Sequence, residues 1–275
     1  MSTRKEIDPL GEKAIPKDAY FGIQTFRAVE NFPVSGIKAP ETFVKAYVLI
    51  KKAAATANAQ VGWLEKKQAD AIIKACDEVL SGKLLDQFVV DVFQAGAGTS
   101  FNMNVNEVLA NRALELLGKA KGDYKSLSPN DQVNMGQSTN DTFPTALHVS
   151  VLMALQPLLN ELELLAGAFE NLGEKYTGTL KSGRTHLQDA VPVTMGQEFS
   201  AYGSAIKNAS LELKKRQENL YSVALGGTAT GTGANTHPSY KRLAISELAK
   251  MTSFPLKPAE NNFEALQSHR SSQAV

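Results

Sequence analysis

Apolar residues recur at helical spacing along most of the chain after residue 40. Residues 41–61 combine strong helix formers with apolar positions three and four apart, and residues 66–80 repeat this pattern before a Ser-Gly pair typical of a helix end. Further helices are predicted over residues 102–117 and 239–251. The first forty residues are rich in glycine, proline and short polar runs, which predicts an irregular or partly extended segment with little helical period.

Two longer apolar runs determine the predicted fold class. Residues 140–175 are interrupted only by Pro144 and Pro157, and residues 193–224 contain no proline. The second run would extend about 45 to 50 Å as a helix. Helices of that length usually pack side by side in bundles, because their apolar stripe exceeds what one small core covers. The pattern predicts an all-α architecture that assembles through long helices, with a loop and a short hairpin over residues 177–194.

A small polar loop precedes the helix predicted from residue 102. It reads Gly-Ala-Gly-Thr-Ser at residues 96–100. Glycines let the backbone come close to a ligand, and Thr99 or Ser100 can cap the helix or donate to an anion. Taken alone, the loop is better explained as a capped turn.

A second polar loop, residues 128–141, precedes the first long helix. Ser138 and Thr139 are candidate cap residues, and Asp141 complements the positive end of the helix. Asn140 offers both a hydrogen-bond donor and an acceptor. A cap needs less polarity than this, so a binding role and an ordinary surface loop explain the segment equally well.

The third polar loop is Gly-Arg-Thr-His-Leu-Gln-Asp at residues 183–189. His186, beside Thr185 and close to an arginine and a carboxylate, can act as an anion ligand or a proton carrier near neutral pH. The alternative is a hydrogen-bonded loop residue. His148 and His237 lack such neighbours and are predicted to be structural.

Other features favour structural roles. The glycine-rich residues 226–233 lack the Gly-Lys-Ser or Gly-Lys-Thr ending of a phosphate loop, which favours a close-packed loop over nucleotide binding. No Cys/His cluster has metal-ligand spacing, so neither a metal nor another cofactor is expected. The paired lysines at residues 51–52, 66–67 and 214–215 are interpreted as solvated helix faces.

The composition limits the binding partners and the cellular compartment that are expected. A formal net charge of +1 argues against general attraction to nucleic acid or to an anionic membrane. Cys76 is the single cysteine, so no intrachain disulfide is possible, which suits a reducing cytoplasm. The first residues carry charges without a following apolar core, and no stretch is expected to approach a membrane span. A cytoplasmic protein is therefore expected.

Together, the three polar loops resemble the signature segments of the fumarase/aspartase superfamily, in the same order and spacing. The resemblance runs from the Leu-Gly-Glu at residues 10–12 to the Phe-Glu-Ala-Leu at residues 263–266. Ala97, Ser100 and Thr139 resemble the aspartase branch. The residues Thr185 and His186, with the Asn-Phe-Glu-Ala-Leu at residues 262–266, suit the class II fumarase branch equally well.

The resemblance implies a carbon–nitrogen lyase that eliminates ammonia from L-aspartate to give fumarate, without a cofactor. Substrate binding would then fall to the following residues: Thr99, Ser100, Ser138, Thr139, Asn140, Thr185 and His186. His186 is also the implied catalytic residue. The resemblance further implies a homotetramer whose long helices form a central bundle, with active sites built from different subunits.

One implied element is missing from the chain. Family members carry their general base, a serine, in a mobile Gly-Ser-Ser-x-Met-Pro loop, and no such loop occurs before Val275. The chain is therefore interpreted as C-terminally truncated and inactive as written, with an N-terminal domain at residues 1–139 and an incomplete helical-bundle domain at residues 140–275. The alternatives are a class II fumarase, or an inactive helical scaffold that associates with full-length subunits.

Overall fold

The computed structural model describes residues 2–275. Helices account for 58% of the chain, so the all-α prediction is confirmed. The main helices are α1 (Ile23–Asn31), α2 (Glu41–Gln60), α3 (Lys66–Leu80), α4 (Thr99–Leu116), α5 (Thr139–Lys175), α6 (Met195–Arg216) and α7 (Tyr240–Thr252), followed by the short α8 (Asn262–Ala265) and α9 (Arg270–Gln273). Single helical turns occupy Leu85–Gln87, Gly96–Gly98, Pro129–Val133 and Gln217–Tyr221.

Three two-stranded sheets accompany the helices. They are β1 (Thr3–Asp8) with β2 (Gly11–Pro16), β3 (Leu180–Thr185) with β4 (Gln188–Thr194), and β5 (Ser222–Val223) with β6 (Lys257–Pro258). The first two pairs are antiparallel hairpins and the third is parallel.

The chain divides into two compact units. The first comprises residues 2–150 and Leu220–Gln273, and the second comprises Val151–Asn219 and Ala274–Val275. The predicted domain division between residues 139 and 140 stays a prediction.

The core of the first unit forms around α2, which packs against α3 and α7. Residues on nearly every side of α2 are buried, among them Tyr47, Ile50 and Ala54. A helix that is buried all round occupies the middle of a core. Because α2 is central, any polar side chain that it carries needs partners from neighbouring elements.

The first forty residues are more regular than the sequence predicted. They contain the β1–β2 hairpin and α1. The buried carboxylate of Glu107 on α4 accepts hydrogen bonds from the backbone N–H groups of Gly22, Gln24 and Thr25, at 2.8 to 3.0 Å. These N–H groups lie at the start of α1 and have no partner within the helix, so a distant side chain caps it. A cap supplied from eighty residues away leaves no local signal in the sequence.

The two long helices differ in how well they were predicted. Helix α5 runs from Thr139 to Lys175 without a break, although it contains both Pro144 and Pro157. The second run is shorter than expected. Its first residues, Val193 and Thr194, belong to strand β4, and its regular helix ends at Arg216, giving about 33 Å instead of 45 to 50 Å.

By length and composition alone, α5 is long and apolar enough to cross a membrane, with a mean hydropathy of 1.3 over its most apolar window. The expectation that no stretch approaches a membrane span was therefore too strong. The core helix of a soluble protein passes the same test.

Candidate functional site

The first unit contains an open cavity of about 1210 Å³. Four of the predicted substrate-binding residues line it, namely Thr99, Ser138, Thr139 and Asn140. They stand at the N-terminal ends of α4 and α5, where free backbone N–H groups and helix dipoles favour an anion. Among the residues that line this cavity, all of them described, Asp131 is the one charged side chain. The cavity therefore offers mainly uncharged donors.

Close packing fixes the loop that precedes α4. Ala97 and Gly98 have φ values of +59° and +84°, in the left-handed region. A Cβ atom on Gly98 would lie 2.0 Å from the ring of Phe143 on α5, so only glycine fits there. The tight loop brings Thr99 to the cavity, whereas Ser100 is buried in the first turn of α4 and does not line it.

A buried carboxylate holds the start of α5. Asp141 is fully buried and accepts hydrogen bonds from the backbone N–H groups of Ser138 at 2.9 Å, Gly226 at 2.9 Å and Thr228 at 3.0 Å. Burial raises the pKa of Asp141 to about 6, because the charged form is poorly solvated there. The sequence predicted Asp141 as a helix-end carboxylate. The structure adds that it joins the second polar loop to the glycine-rich loop.

The glycine-rich loop is close-packed, as predicted, and it also forms one wall of the cavity. Gly226 has a φ of +86°, and a Cβ atom there would lie 2.6 Å from the side chain of Lys241. Thr228 and Thr230 line the cavity, and the Asn140 side-chain amide donates to the carbonyl of Ala229 at 2.7 Å. Sequence reasoning missed this wall because the loop matches no ligand-binding motif.

A buried lysine lies against the cavity lining. Lys51 on α2 is fully buried, and its Nζ donates to side-chain oxygens of Asn102 at 2.7 Å, Asn134 at 2.9 Å and Gln137 at 2.9 Å. All three amides line the cavity. Burial lowers the pKa of Lys51 to about 7, because desolvation disfavours the ammonium form.

The interpretation of Lys51 as part of a solvated helix face was wrong. Its neighbour Lys52 fits that interpretation better, since it is partly exposed and pairs with Asp77. Helical spacing does not separate the two lysines. Each has buried residues four before and three after it, Tyr47 and Ala54 for Lys51, Val48 and Ala55 for Lys52.

The remaining predicted residues, Thr185 and His186, belong to the second unit. The predicted hairpin in this region is confirmed as β3–β4, and His186 and Leu187 form its turn, with φ values of +49° and +61°. Thr185 and His186 are exposed and are not among the cavity-lining residues. Arg184 pairs with Asp189 across the strands at 3.0 Å, also in an exposed position. Over residues 2–275, no group of three or more His, Cys, Asp or Glu side chains is placed to hold a metal ion.

A family model described as Lyase matches residues 11–272. The chain therefore belongs to the Lyase family, the fumarase/aspartase superfamily.

Relatives of both branches are equally similar to the chain. An aspartate ammonia-lyase from a Bacillus species is 49% identical over 264 residues, which are 96% of this chain and 56% of that protein. A class II fumarate hydratase from Halobacterium salinarum is also 49% identical, over 97% of this chain and 57% of that protein. The chain thus spans just over half the length of the curated relatives that it matches, and identity does not separate the branches.

Solved structures agree with the fold. A Brucella melitensis protein described as fumarate lyase:delta crystallin, in a form bound to cobalt, superposes with a TM-score of 0.95 at 48% identity, covering 98% of this chain and 59% of that one. A class II fumarase from Schistosoma mansoni superposes with a TM-score of 0.91 at 37% identity, covering 98% of this chain and 60% of that one.

Proposed function

We propose that this chain forms the dicarboxylate-binding part of an ammonia-lyase that converts L-aspartate to fumarate and ammonia. The observation that carries the proposal is the cavity at the starts of α4 and α5, with Thr99, Ser138, Thr139 and Asn140 in its lining. Uncharged donors at helix N-termini are suited to a carboxylate that gains further negative charge.

The proposed reaction removes a proton from the carbon beside the β-carboxylate of aspartate. The electron pair left on that carbon is delocalised into the β-carboxylate, then forms the double bond of fumarate as the amino group leaves as ammonia. Donors that are already in place at the β-carboxylate lower the barrier, because they need no reorganisation when the charge develops. We assign this role to Thr99, Ser138 and Thr139, and we assign Asn140 to the amino group and α-carboxylate. By resemblance, Thr185 and His186 would complete the anion pocket and a serine outside these residues would remove the proton.

Three loop positions favour aspartate over malate as the substrate. Ala97, Ser100 and Thr139 resemble the aspartase branch. A class II fumarase is the second candidate, because a fumarate hydratase is as similar to the chain as the aspartate ammonia-lyases are.

We also propose a homotetramer in the cytoplasm. Large apolar side chains are exposed on the helices of the second unit, including Leu158, Leu164 and Leu211. Exposed apolar surface of this kind marks an interaction site. The single, buried Cys76 suits a reducing compartment. Light scattering of the purified protein would test the tetramer, and a monomer at micromolar concentration would contradict it.

The choice of substrate can be tested by co-expressing the chain with the C-terminal part of the Bacillus aspartate ammonia-lyase. Formation of fumarate, or its consumption, is followed by ultraviolet absorbance with L-aspartate and with L-malate. We expect fumarate from aspartate and none from malate, and activity on malate alone would overturn the proposal.

A Thr99→Val variant should lose about 100-fold or more in kcat, the usual cost of one missing transition-state donor. The chain without the added part is the control.

A further inference from the structure

The number of N–H donors on the Lys51 ammonium equals the number of acceptors around it. An ammonium has three N–H donors, and three amide oxygens accept from Lys51 Nζ, those of Asn102, Asn134 and Gln137. A neutral amine would have two donors and would leave one acceptor without a proton. Three acceptors around Nζ therefore fit the charged form of Lys51.

These contacts also set the direction of the three amides. Since each oxygen points at Lys51, each NH2 group points elsewhere. The Gln137 NH2 donates to the carbonyls of Val133 and Met135, at 3.0 and 3.2 Å, inside the second polar loop. Loss of the ammonium would remove the one group to which all three amide oxygens are bonded, and would weaken the hold on these amides in the cavity wall.

The buried position of Lys51 also affects the charge of the cavity. No lysine, arginine or histidine is among the cavity-lining residues, and the one charged lining side chain, Asp131, is negative. Lys51 lies directly behind three lining amides, so its positive charge raises the electrostatic potential in the cavity. A charge held in low-dielectric surroundings is weakly screened and attracts an anion more strongly than a surface lysine does.

We infer that Lys51 is a positioning residue of the cavity, which orients Asn102, Asn134 and Gln137 and supplies the positive potential that draws in a dicarboxylate. The dicarboxylate as the ligand of this cavity is taken from the proposed function. The inference assigns Lys51 no direct contact with substrate, since its side chain is fully buried beneath the lining.

The inference implies a pH dependence. The titratable groups that act on Lys51 are Asp141 on α5 and Cys76 on α3, and its Nζ lies 5.6 Å from the ring centre of Tyr47 on its own helix. Burial raises the pKa of the Cys76 thiol and of the Tyr47 phenol, so both stay neutral near pH 7. Lys51, with its pKa near 7, is charged below that pH and neutral above it. Asp141 ionises nearer pH 6 and contributes a separate, earlier step.

Succinate, a dicarboxylate that cannot undergo the elimination, is the probe for the first experiment. Trp63 is the sole tryptophan of the chain and lines the cavity, so its fluorescence reports binding. We expect succinate affinity of the unaltered chain to fall about tenfold from about pH 6 to about pH 8. Lys51→Met should bind about tenfold more weakly at the lower pH and show no step near pH 7. Lys52→Met, altered at the neighbouring lysine that pairs with Asp77, is the matched control and should behave like the unaltered chain.

A second experiment needs no ligand. Side-chain amide NMR signals of Asn102, Asn134 and Gln137 should shift together with a midpoint near pH 7, and this shared step should be absent from Lys51→Met. If the amide signals stay constant across that range, the role of Lys51 is overturned even if succinate binds. If the amides titrate as expected but succinate binds at no pH, the proposed ligand class fails while the positioning by Lys51 stands. The titration of the unaltered chain decides the matter even if Lys51→Met does not fold.

Discussion

The cavity of the first unit and the β3–β4 hairpin of the second carry the predicted site residues in contrasting ways. Around the cavity, buried polar groups hold the lining in place, with Lys51 against three amides and Asp141 against three backbone N–H groups. In the hairpin, Thr185 and His186 are exposed, and the ion pair between Arg184 and Asp189 beside them is exposed too.

This difference separates two ways of supplying a functional residue. Donors such as Ser138 and Thr139 are fixed by packing and hydrogen bonds within the chain, so a substitution that disturbs the packing should damage stability and function together. His186 is presented by a short turn with little packing around it, so its replacement should affect function while leaving stability nearly unchanged.

The largest effect is expected from Gly98→Ala. The added methyl group would lie 2.0 Å from Phe143, at a φ of +84° that alanine adopts with difficulty. Left-handed strain and overpacking together should lower the free energy of unfolding by about 4 kcal/mol. Urea denaturation would measure the loss.

Gly96→Ala is the matched control for that change. Gly96 lies in the same loop, but nothing lies within 4 Å of a Cβ atom built there, and its φ is not in the left-handed region. Its free energy of unfolding should stay within about 0.5 kcal/mol of the unaltered chain. Equal losses in the two variants would show that the contact with Phe143 does not fix the loop.

A somewhat smaller effect is expected from the ionisation of Asp141. Its pKa is raised in the folded chain from an ordinary value of 3.8 to about 6. Between these values the folded chain keeps a proton that the unfolded chain has lost, so stability falls as pH rises from about 4 to about 6. The contribution should be about 3 kcal/mol over that interval. Asp141→Asn should remove this part of the pH profile, measured as unfolding free energy against pH.

Asp131→Asn is the control for the carboxylate effect. Asp131 also lines the cavity but is exposed. Its replacement should leave the slope of stability between about pH 4 and about pH 6 unchanged. If both variants keep the full slope, the raised pKa of Asp141 is not its source.

Sequence patterns predicted most of what depends on local order. The bounds of α2, α3 and α7 were predicted to within one residue, because apolar spacing and helix-end signals act over a few residues. The motif at residues 137–141 also placed Ser138, Thr139 and Asn140 correctly at a helix start.

What the sequence missed depends on contacts between distant segments. Glu107 caps α1 from far along the chain, and Asp141 reaches the loop at Gly226. Lys51 was misread because a lysine pair resembles a solvated face, and buried neighbours at helical spacing do not distinguish it from Lys52. Such contacts follow from the packing of α2, α4 and α5, which no local pattern specifies.

The smallest effect on stability is expected in the hairpin turn. His186 and Leu187 both have positive φ, and Leu187 is 93% exposed. Asparagine tolerates this conformation and glycine favours it, so His186→Asn and Leu187→Gly should each change the free energy of unfolding by less than about 0.5 kcal/mol. In the enzyme completed with the C-terminal part, His186→Asn should reduce fumarate formation strongly, whereas Leu187→Gly should retain it. A loss of stability above about 1 kcal/mol in His186→Asn would remove the contrast, because the hairpin residue would then be held by packing as the cavity residues are.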